Sequence, residues 1–424
     1  MREELLYFIW TLQYFSKQAL TTEDGHTVTI VHPGVRNLYS GPDFADARVR
    51  LAEIAWGGAV EIHLNASDWN AHGHQHDPAY NNVILHVVWH ADQVVHRQDG
   101  TPMPTLVLEN RVAPSIIDNY RQLVFHAPEQ QDIACAPLLP NVDELQKLTM
   151  LDKTAVLRLE RKSQEILERV DKNRGDWLVT AYQALFQSFG FRVNQAPFEQ
   201  LSRVAPPLLV AKYQSDFTSV AALLLGQAGL LEGEDWPDAW INAYEFLRVK
   251  HQLNKNALAR SQWRFFRTRP ANFPTVRIVQ LAAVLVGFHQ NLLALFESES
   301  AAEQCALVKQ TQRVLPESVP PIGKESIHKI LINAVVPYQF AYGSYFREQS
   351  RKDQALTLLQ SLPAENNSLV KKYRGYGYPI SSALDTQAVL ELHHSFCKPK
   401  QCLLCAIGSS IIKTDNLFVT SGPH

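Results

Sequence analysis

The sequence predicts an α+β protein, with a small mixed sheet at the N-terminus followed by a mainly α-helical domain. Two observations predict it. Up to about residue 140, Gly, Pro, His and β-branched residues dominate and apolar side chains alternate. Beyond it, runs rich in Leu, Ala, Gln, Glu, Lys and Arg space their apolar side chains by three and four. A length of 424 residues exceeds one ordinary core. The expected division is an α/β domain over 1–140, a helical domain over 141–380, and a segment 381–424 carrying three of the five cysteines.

The elements are justified in order. Glu3 to Lys17 reads as a helix, with Leu5, Leu6, Ile9, Leu12 and Phe15 as its buried stripe. "HTVTIVH" alternates as a strand after the turn chemistry of Asp24-Gly25. "ADARVRLAEIAW" reads as a second strand, turned by Gly57-Gly58 into a third, "AVEIHL". "SDWNAHGHQHDPAYNN" is polar, with Ser67 as a candidate cap of a short helix. "VILHVVWHA" is apolar enough for the centre of a sheet, and Pro102 and Pro104 hold the next strand to an edge. The order is αβββαβ. From Asp143 helical patterns follow one another: "DELQKLTMLDKTAVLRLERKSQEILERVDKN", "DWLVTAYQALFQSF", "FTSVAALLLGQAGLL", "AWINAYEFLRVKHQL", "TVRIVQLAAVLVGFHQNLLALF" and "ESIHKILINAVVPYQFAYGSYFREQS".

Composition excludes some functions. A formal net charge of -2 gives no global pull toward polyanions, so a nucleic-acid site has to be local. No apolar run spans a bilayer, so no membrane partner is expected. "MREELLYFIWTLQYF" carries acids early, unlike a secretory signal, and five cysteines make no secreted disulfide framework. The expected location is a reducing cytoplasm.

Side chains two apart on a strand share a face, so Glu61 and His63 project together while Val60, Ile62 and Leu64 face away. Asp43 follows a Gly-Pro turn at the mouth of the neighbouring strand, within lateral reach of Glu61. Two carboxylates with open positions suit Mg²⁺ or Mn²⁺, which prefer oxygen ligands and keep waters for a phosphate. The bland alternative has Asp43 closing its turn and Glu61 meeting Arg48 or Arg50 across the strands. His72, His74 and His76 alternate between Asp68 and Asp77, a group able to bind zinc or to supply an acid or base. His86 reads as a satisfied sheet histidine.

Pro42-Asp43 followed by Glu61-Ile62-His63, in an αβββαβ order, resembles the PD-(D/E)XK nuclease superfamily over the first quarter to third of the chain. The resemblance implies a restriction-endonuclease-like core with Asp43 and Glu61 as metal ligands. His63 stands where the pattern has a lysine that orients or activates water. Trp69, His72 and His74 resemble the histidine segment of very-short-patch mismatch repair endonucleases, which makes His72 and His74 candidate catalytic residues. At full length, "GPDF", "VEIH", "SDW", "HGH", "NVILHVV", "RPANFP" and the cysteine spacing resemble an uncharacterised bacterial family of unknown function, which implies no activity.

Cys397, Cys402 and Cys405 stand in C-x4-C-x2-C spacing, a donor set that selects zinc or an iron–sulfur cluster. A fourth ligand is needed from His393, His394, Cys135 or Cys305. Helicase-associated nucleases and CRISPR adaptation exonucleases are similar in joining one remote cysteine to a C-terminal trio, although their first cysteine precedes the nuclease core and Cys135 follows it. In "WRFFRTRPANFPTVRI", Arg264, Arg267 and Arg269 interleave with aromatics, as Lys371 and Lys372 do in "KKYRGYGYP". Such segments grip a nucleic-acid backbone and stack bases, or equally dock a loop between helices through Asn272.

The expected function is therefore a metal-dependent nuclease or nuclease-like nucleic-acid-processing protein. Asp43, Glu61, His63, His72 and His74 are its candidate catalytic residues, and the helical domain positions nucleic acid or a protein partner. The alternatives are a non-catalytic scaffold on a degenerate nuclease fold, and a zinc hydrolase.

Overall fold

A computed structural model describes residues 1–125, 133–232, 235–253, 257–266, 270–288, 291–298 and 300–414. The chain divides into two compact units: residues 1–150 with 392–424, and residues 151–391. The C-terminal segment expected to stand apart from 381 onward thus belongs, from Leu392, to the first unit.

The first unit opens with α1 (Glu3–Leu12), which buries Leu5, Leu6, Phe8, Ile9 and Trp10. It stops five residues earlier than the periodicity suggests. Gln13 turns left-handed at φ 56°, and the Tyr14 N–H bonds back to the Ile9 carbonyl at 2.9 Å. Leu12 is consequently exposed, while Phe15 is buried beyond the helix. Six strands follow: β1 (Val28–His32), β2 (Val35–Arg36), β3 (Phe44–Leu51), β4 (Ile54–Asn65), β5 (Val83–His90) and β6 (Thr105–Val107). They form one mixed sheet in the order β1-β3-β4-β5-β6, with β2 also paired to β3. β1 and β4 run antiparallel to β3, whereas β4, β5 and β6 are mutually parallel neighbours.

Parallel neighbours need a crossover, and α2 (Asp68–Ala71) with two short 3₁₀ turns supplies it between β4 and β5. The αβββαβ order read from the sequence is therefore present, enlarged by β2, β6 and α3 (Pro114–Val124). As the prolines imply, β6 is an edge strand, and β5 is buried between its neighbours from Val83 to Val88.

One turn falls elsewhere than expected. The β3–β4 hairpin closes at Ala52-Glu53, with Ala52 at φ 51°, and β4 runs straight through Gly57-Gly58. Gly58 serves close approach instead: a Cβ there would lie 2.4 Å from the Asn82 carbonyl oxygen and 2.6 Å from Ile84 Cγ2. That is where the Ala59 N–H meets the Asn82 carbonyl at 2.9 Å, beginning the β4–β5 pairing.

The second unit is helical among its described residues. Its core gathers Ala181, Leu185 and Phe189 from the helix Trp177–Phe189 with Val220 to Leu225 from the helix Phe217–Gln227 and Ile278 to Leu285 from the helix Pro274–Gly287. Asp176 and Asp216 cap two of these helices by accepting from Val179 and from Thr218 and Ser219. The long pattern from Thr275 to Phe296 is broken after Gly287, and a short helix resumes at Ala294. Among the described residues, no helix is long and apolar enough to cross a membrane.

Gly58→Val is expected to destabilise the first unit by about 1–3 kcal/mol through overpacking at the β4–β5 entry. Gly57→Val, which meets nothing within 4 Å, should change little. Urea unfolding of the two variants checks this, and equal midpoints would refute the close-approach role.

Candidate metal centre

The site begins with alternation along β4. Glu61 and His63 share a face and are both buried, at 5% and 2% exposure. The parallel register sets His86 of β5 against Glu61, so its ring enters the same layer, fully buried. Across the antiparallel pair, Phe44 faces Val60, which brings Asp43 alongside Glu61. The Asp43 N–H donates to Glu61 Oε2 at 2.9 Å, and Asp43 Oδ2 accepts from the Ile62 N–H at 3.0 Å. Arg36 on β2 donates to Asp43 Oδ1 at 2.7 Å, and its guanidinium lies 3.4 Å above the Tyr7 ring centroid.

The crossover brings the remaining imidazoles. His72 ends α2, and Gly73 at φ 78° reverses the chain so that His72 and His74 return to the same place. Buried Trp69 packs edge-on against His74 at 5.4 Å, and Tyr80 stacks on that ring at 3.8 Å. The sequence alternation thus selects His72 and His74, while His76 stays exposed. Asp68 and Asp77 are spent on the turns, accepting from the Asn65 and Ala79 N–H groups.

These side chains converge at the spacing of ligands around an ion. His63 Nε2 and His74 Nε2 lie 3.5 and 3.4 Å from Glu61 Oε1, and His72 Nδ1 lies 3.2 Å from His63 Nε2. One nitrogen from each of His63, His72 and His74 falls within 4.8 Å of the others. Metal–ligand bonds of about 2.0–2.1 Å in a tetrahedron give donor separations of about 3.3 Å. His74 Nε2, although near Glu61, is not aligned to hydrogen-bond it and stays buried without a partner. A buried nitrogen left in that state is costly, and a cation would satisfy it. His72 is exposed and opens the group toward solvent.

Electrostatics agree with the geometry. Burial, then the neighbouring His86, His74 and His72, pushes His63 down to about 2. Burial and His74 push His86 down to about 3. Both imidazoles are therefore neutral, the form that offers a lone pair to a metal. Asp43 is raised to about 6 by burial first and then by the Glu61 charge, against the pull of Arg36.

The arrangement changes the expected roles. His63, His72 and His74 come together with Glu61 beside two of them, His63 and His74, whereas both Asp43 oxygens are engaged by Arg36 and the Ile62 amide. His86 is not an ordinary sheet histidine: its Nε2 lies 2.9 Å from His63 Nδ1, and its Nδ1 is buried without a partner. Arg48 and Arg50 pair with Gly57 and Ala55, away from Glu61. The cation beside the acids is Arg36, and half-buried Glu3, sensing His72, Asp68 and Glu61, adds a further carboxylate.

The basic candidates belong to the helical unit. Arg264 is exposed, its backbone N–H held by Asn194 Oδ1 at 2.9 Å. Lys371 is exposed and Lys372 half-buried on the helix Ser368–Gly375. Arg267 and Arg269 lie outside the described residues.

The cysteines Cys135, Cys397, Cys402 and Cys405 all fall in the first unit, whereas Cys305 falls in the second, and no three of the described thiols come within ligand spacing of one another as the three imidazoles do. The helix Ala406–Lys413 docks through Asn119 of α3, whose side-chain amide donates to the Ile411, Ile412 and Thr414 carbonyls at 3.4, 3.2 and 2.8 Å. Lys400 Nζ reaches the Val124 carbonyl at 3.4 Å. Burial, then Cys397, Cys405 and Cys402, raises the buried Cys135 thiol well above its usual range.

Compared with known proteins, residues 3–368 match a family model described as "Protein of unknown function (DUF2851)". The match ends before the three C-terminal cysteines. No curated protein and no solved structure matches the chain.

Metal analysis of the purified protein is expected to find one zinc-class equivalent more in wild type than in His74→Ala or Glu61→Gln. His86→Leu should weaken that metal's affinity by about 10–100-fold, as loss of a histidine's supporting partner does. Unchanged stoichiometry in His74→Ala would dismiss this group as the metal centre.

Proposed function

Since the chain belongs to the DUF2851 family, whose description assigns no activity, we propose from the site alone that it is a metal-dependent phosphodiester hydrolase, a nuclease-like enzyme acting on nucleic acid. The observation that carries this reading is the convergence of three imidazoles, two of them against Glu61, beside the Asp43 turn. The αβββαβ order of the elements around it adds support.

Glu61, His63, His72 and His74 would hold the ion. Three imidazoles favour zinc, with manganese next, over the Mg²⁺ that a pair of carboxylates would select. When bound, such an ion lowers the pKa of a coordinated water and neutralises phosphate charge. His86 fixes the ring of His63 through Nδ1, which leaves Nε2 to face the ion. Asp43 is a positioning residue: its amide holds one Glu61 oxygen and its carboxylate anchors Arg36. Arg36, about one-third exposed, supplies the positive charge beside this group that a phosphate needs. A hydrolase acting on small phosphodiesters is the second reading, favoured by the zinc-type donor set itself.

The remaining metal assignment is structural. Cys135, Cys397, Cys402 and Cys405 would hold zinc or an iron–sulfur cluster that fastens the C-terminal segment to the first unit. Their common place in the first unit and the docking through Asn119 support it.

Cleavage of single- and double-stranded DNA, RNA and bis(p-nitrophenyl) phosphate, with Zn²⁺ or Mn²⁺ added, tests the activity. Glu61→Gln and His74→Ala should lose at least about 100-fold, since they remove ligands outright. Asp43→Asn should lose less. Equal cleavage by all variants would assign the activity to a contaminant. Cleavage of the small diester alone would favour the second reading. An organomercurial added to folded wild type should release the thiolate-held metal, and a Cys135→Ser variant should carry less of it. No release from wild type would remove the cysteine centre.

A further inference from the structure

The helical unit contains a buried cation that the metal centre does not use. Arg277, on the helix Pro274–Gly287, is 5% exposed. Its guanidinium donates to Gln280 Oε1 at 2.9 Å, to Ser326 Oγ at 3.0 Å and to Asn272 Oδ1, and lies 4.4 Å over the Phe191 ring. All three acceptors are neutral, and the Nε–H is buried with no acceptor. Desolvation pushes the group down to about 10. A buried charge held in this way is stabilised only in part, because neutral dipoles do not replace a counter-ion.

Arg277 lines a half-open cavity of about 830 Å³. Arg192, Lys324 and Lys329, all exposed, stand around it, and Glu325 is the single acidic side chain lining it. The N-terminal ends of two helices, one of them that of Arg277 itself, adjoin it. Asn194, also lining the cavity, precedes the helix Gln195–Val204, and Pro274 begins the helix of Arg277. Helix starts present unpaired N–H groups and partial positive charge toward such a space. The same walls include Asn272 and Pro274 of the "RPANFP" segment.

We propose that this cavity is a binding site for a phosphate group, with Arg277 as its buried anchor and Arg192, Lys324 and Lys329 as its rim. A dianionic or diester phosphate matches this set, because its several acceptor oxygens can meet the guanidinium and the rim ammoniums at once. A carboxylate, with two oxygens and one charge, meets fewer of these donors. The source of the phosphate is a free small molecule or a nucleic-acid backbone, two carriers of the same group. The inference is independent of the metal centre, since no residue of that centre takes part.

The test uses the full chain with chelator present, so that hydrolysis cannot enter. Inorganic phosphate, pyrophosphate and a short single-stranded oligonucleotide are titrated by calorimetry, with acetate at matched ionic strength as control. Phosphate or pyrophosphate should bind, and Lys324→Ala/Lys329→Ala should weaken binding by about tenfold or more, as loss of charge-assisted contacts does. Both lysines are exposed, so the double variant should melt as wild type does. Arg277→Gln, which keeps a polar side chain there, should abolish binding. Competition by the oligonucleotide identifies nucleic acid as the carrier, and its absence identifies a small phosphate compound. Failure of both phosphates to bind wild type, equal binding of acetate, or full binding by the lysine variant overturns the site.

Discussion

The first unit is organised around one constraint, the burial of the Glu61 carboxylate in the middle of a sheet. A carboxylate that is 5% exposed must find donors, a proton or a cation. The Asp43 amide meets one oxygen, and two imidazole nitrogens crowd the other at 3.4 and 3.5 Å. Everything nearby follows from meeting that demand. The Gly-Pro turn presents the Asp43 amide, the left-handed Gly73 returns His74, and the close approach at Gly58 sets the β4–β5 register that aligns His86. A sheet interior filled with apolar side chains would be more stable without such a layer. Such a layer marks a candidate site, since local conflicts with folding rules concentrate where function is.

That constraint also explains how far the sequence could be read. Period-two alternation is a local property, so Glu61 and His63 were legible as a pair, and the Pro42-Asp43 turn placed Asp43 beside them. His86 was not legible, because it reaches the layer through a parallel register that depends on where the crossover returns β5. Arg36 lies on a two-residue strand too short to carry a pattern, and Tyr7 reaches Asp43's neighbourhood from α1. Gly57-Gly58 was read as a turn because glycine pairs usually are. Here one glycine answers to a backbone across the sheet, which no local rule detects. The same limit bears on Asp43: its proximity to Glu61 is legible in the sequence, but the competition for its carboxylate by Arg36 and the Ile62 amide is invisible in one dimension.

The helical unit treats two buried charges in opposite ways. Glu391 is 3% exposed and meets Arg158 at 3.3 Å and Arg161 at 2.9 Å, a closed account that stabilises its own surroundings. Arg277 is buried to a similar degree yet is surrounded by an aromatic ring and neutral oxygens. Both are ordinary letters in helical patterns, and nothing in the spacing separates them. The difference lies in the partners supplied by distant segments: the Arg277 environment leaves the buried Nε–H without an acceptor in a residue that lines a cavity.

The balance of charge at the candidate metal centre would make an ion there more than a chemical accessory. Glu61, Asp43 and Glu3 gather there against a single guanidinium, that of Arg36, whose closest contact is already Asp43. Buried His63 and His86 disfavour protons, so they contribute little positive charge. A phosphodiester approaching this surface would meet net repulsion in a poorly screened setting, where unit charges a few ångströms apart interact by several kcal/mol. On the proposed reading, a dication held beside Glu61 by His63, His72 and His74 would reverse that sign locally, so that substrate binding, and not only bond cleavage, would depend on the ion. The carboxylates that look unfavourable for a polyanion would then be what favours metal binding ahead of phosphate.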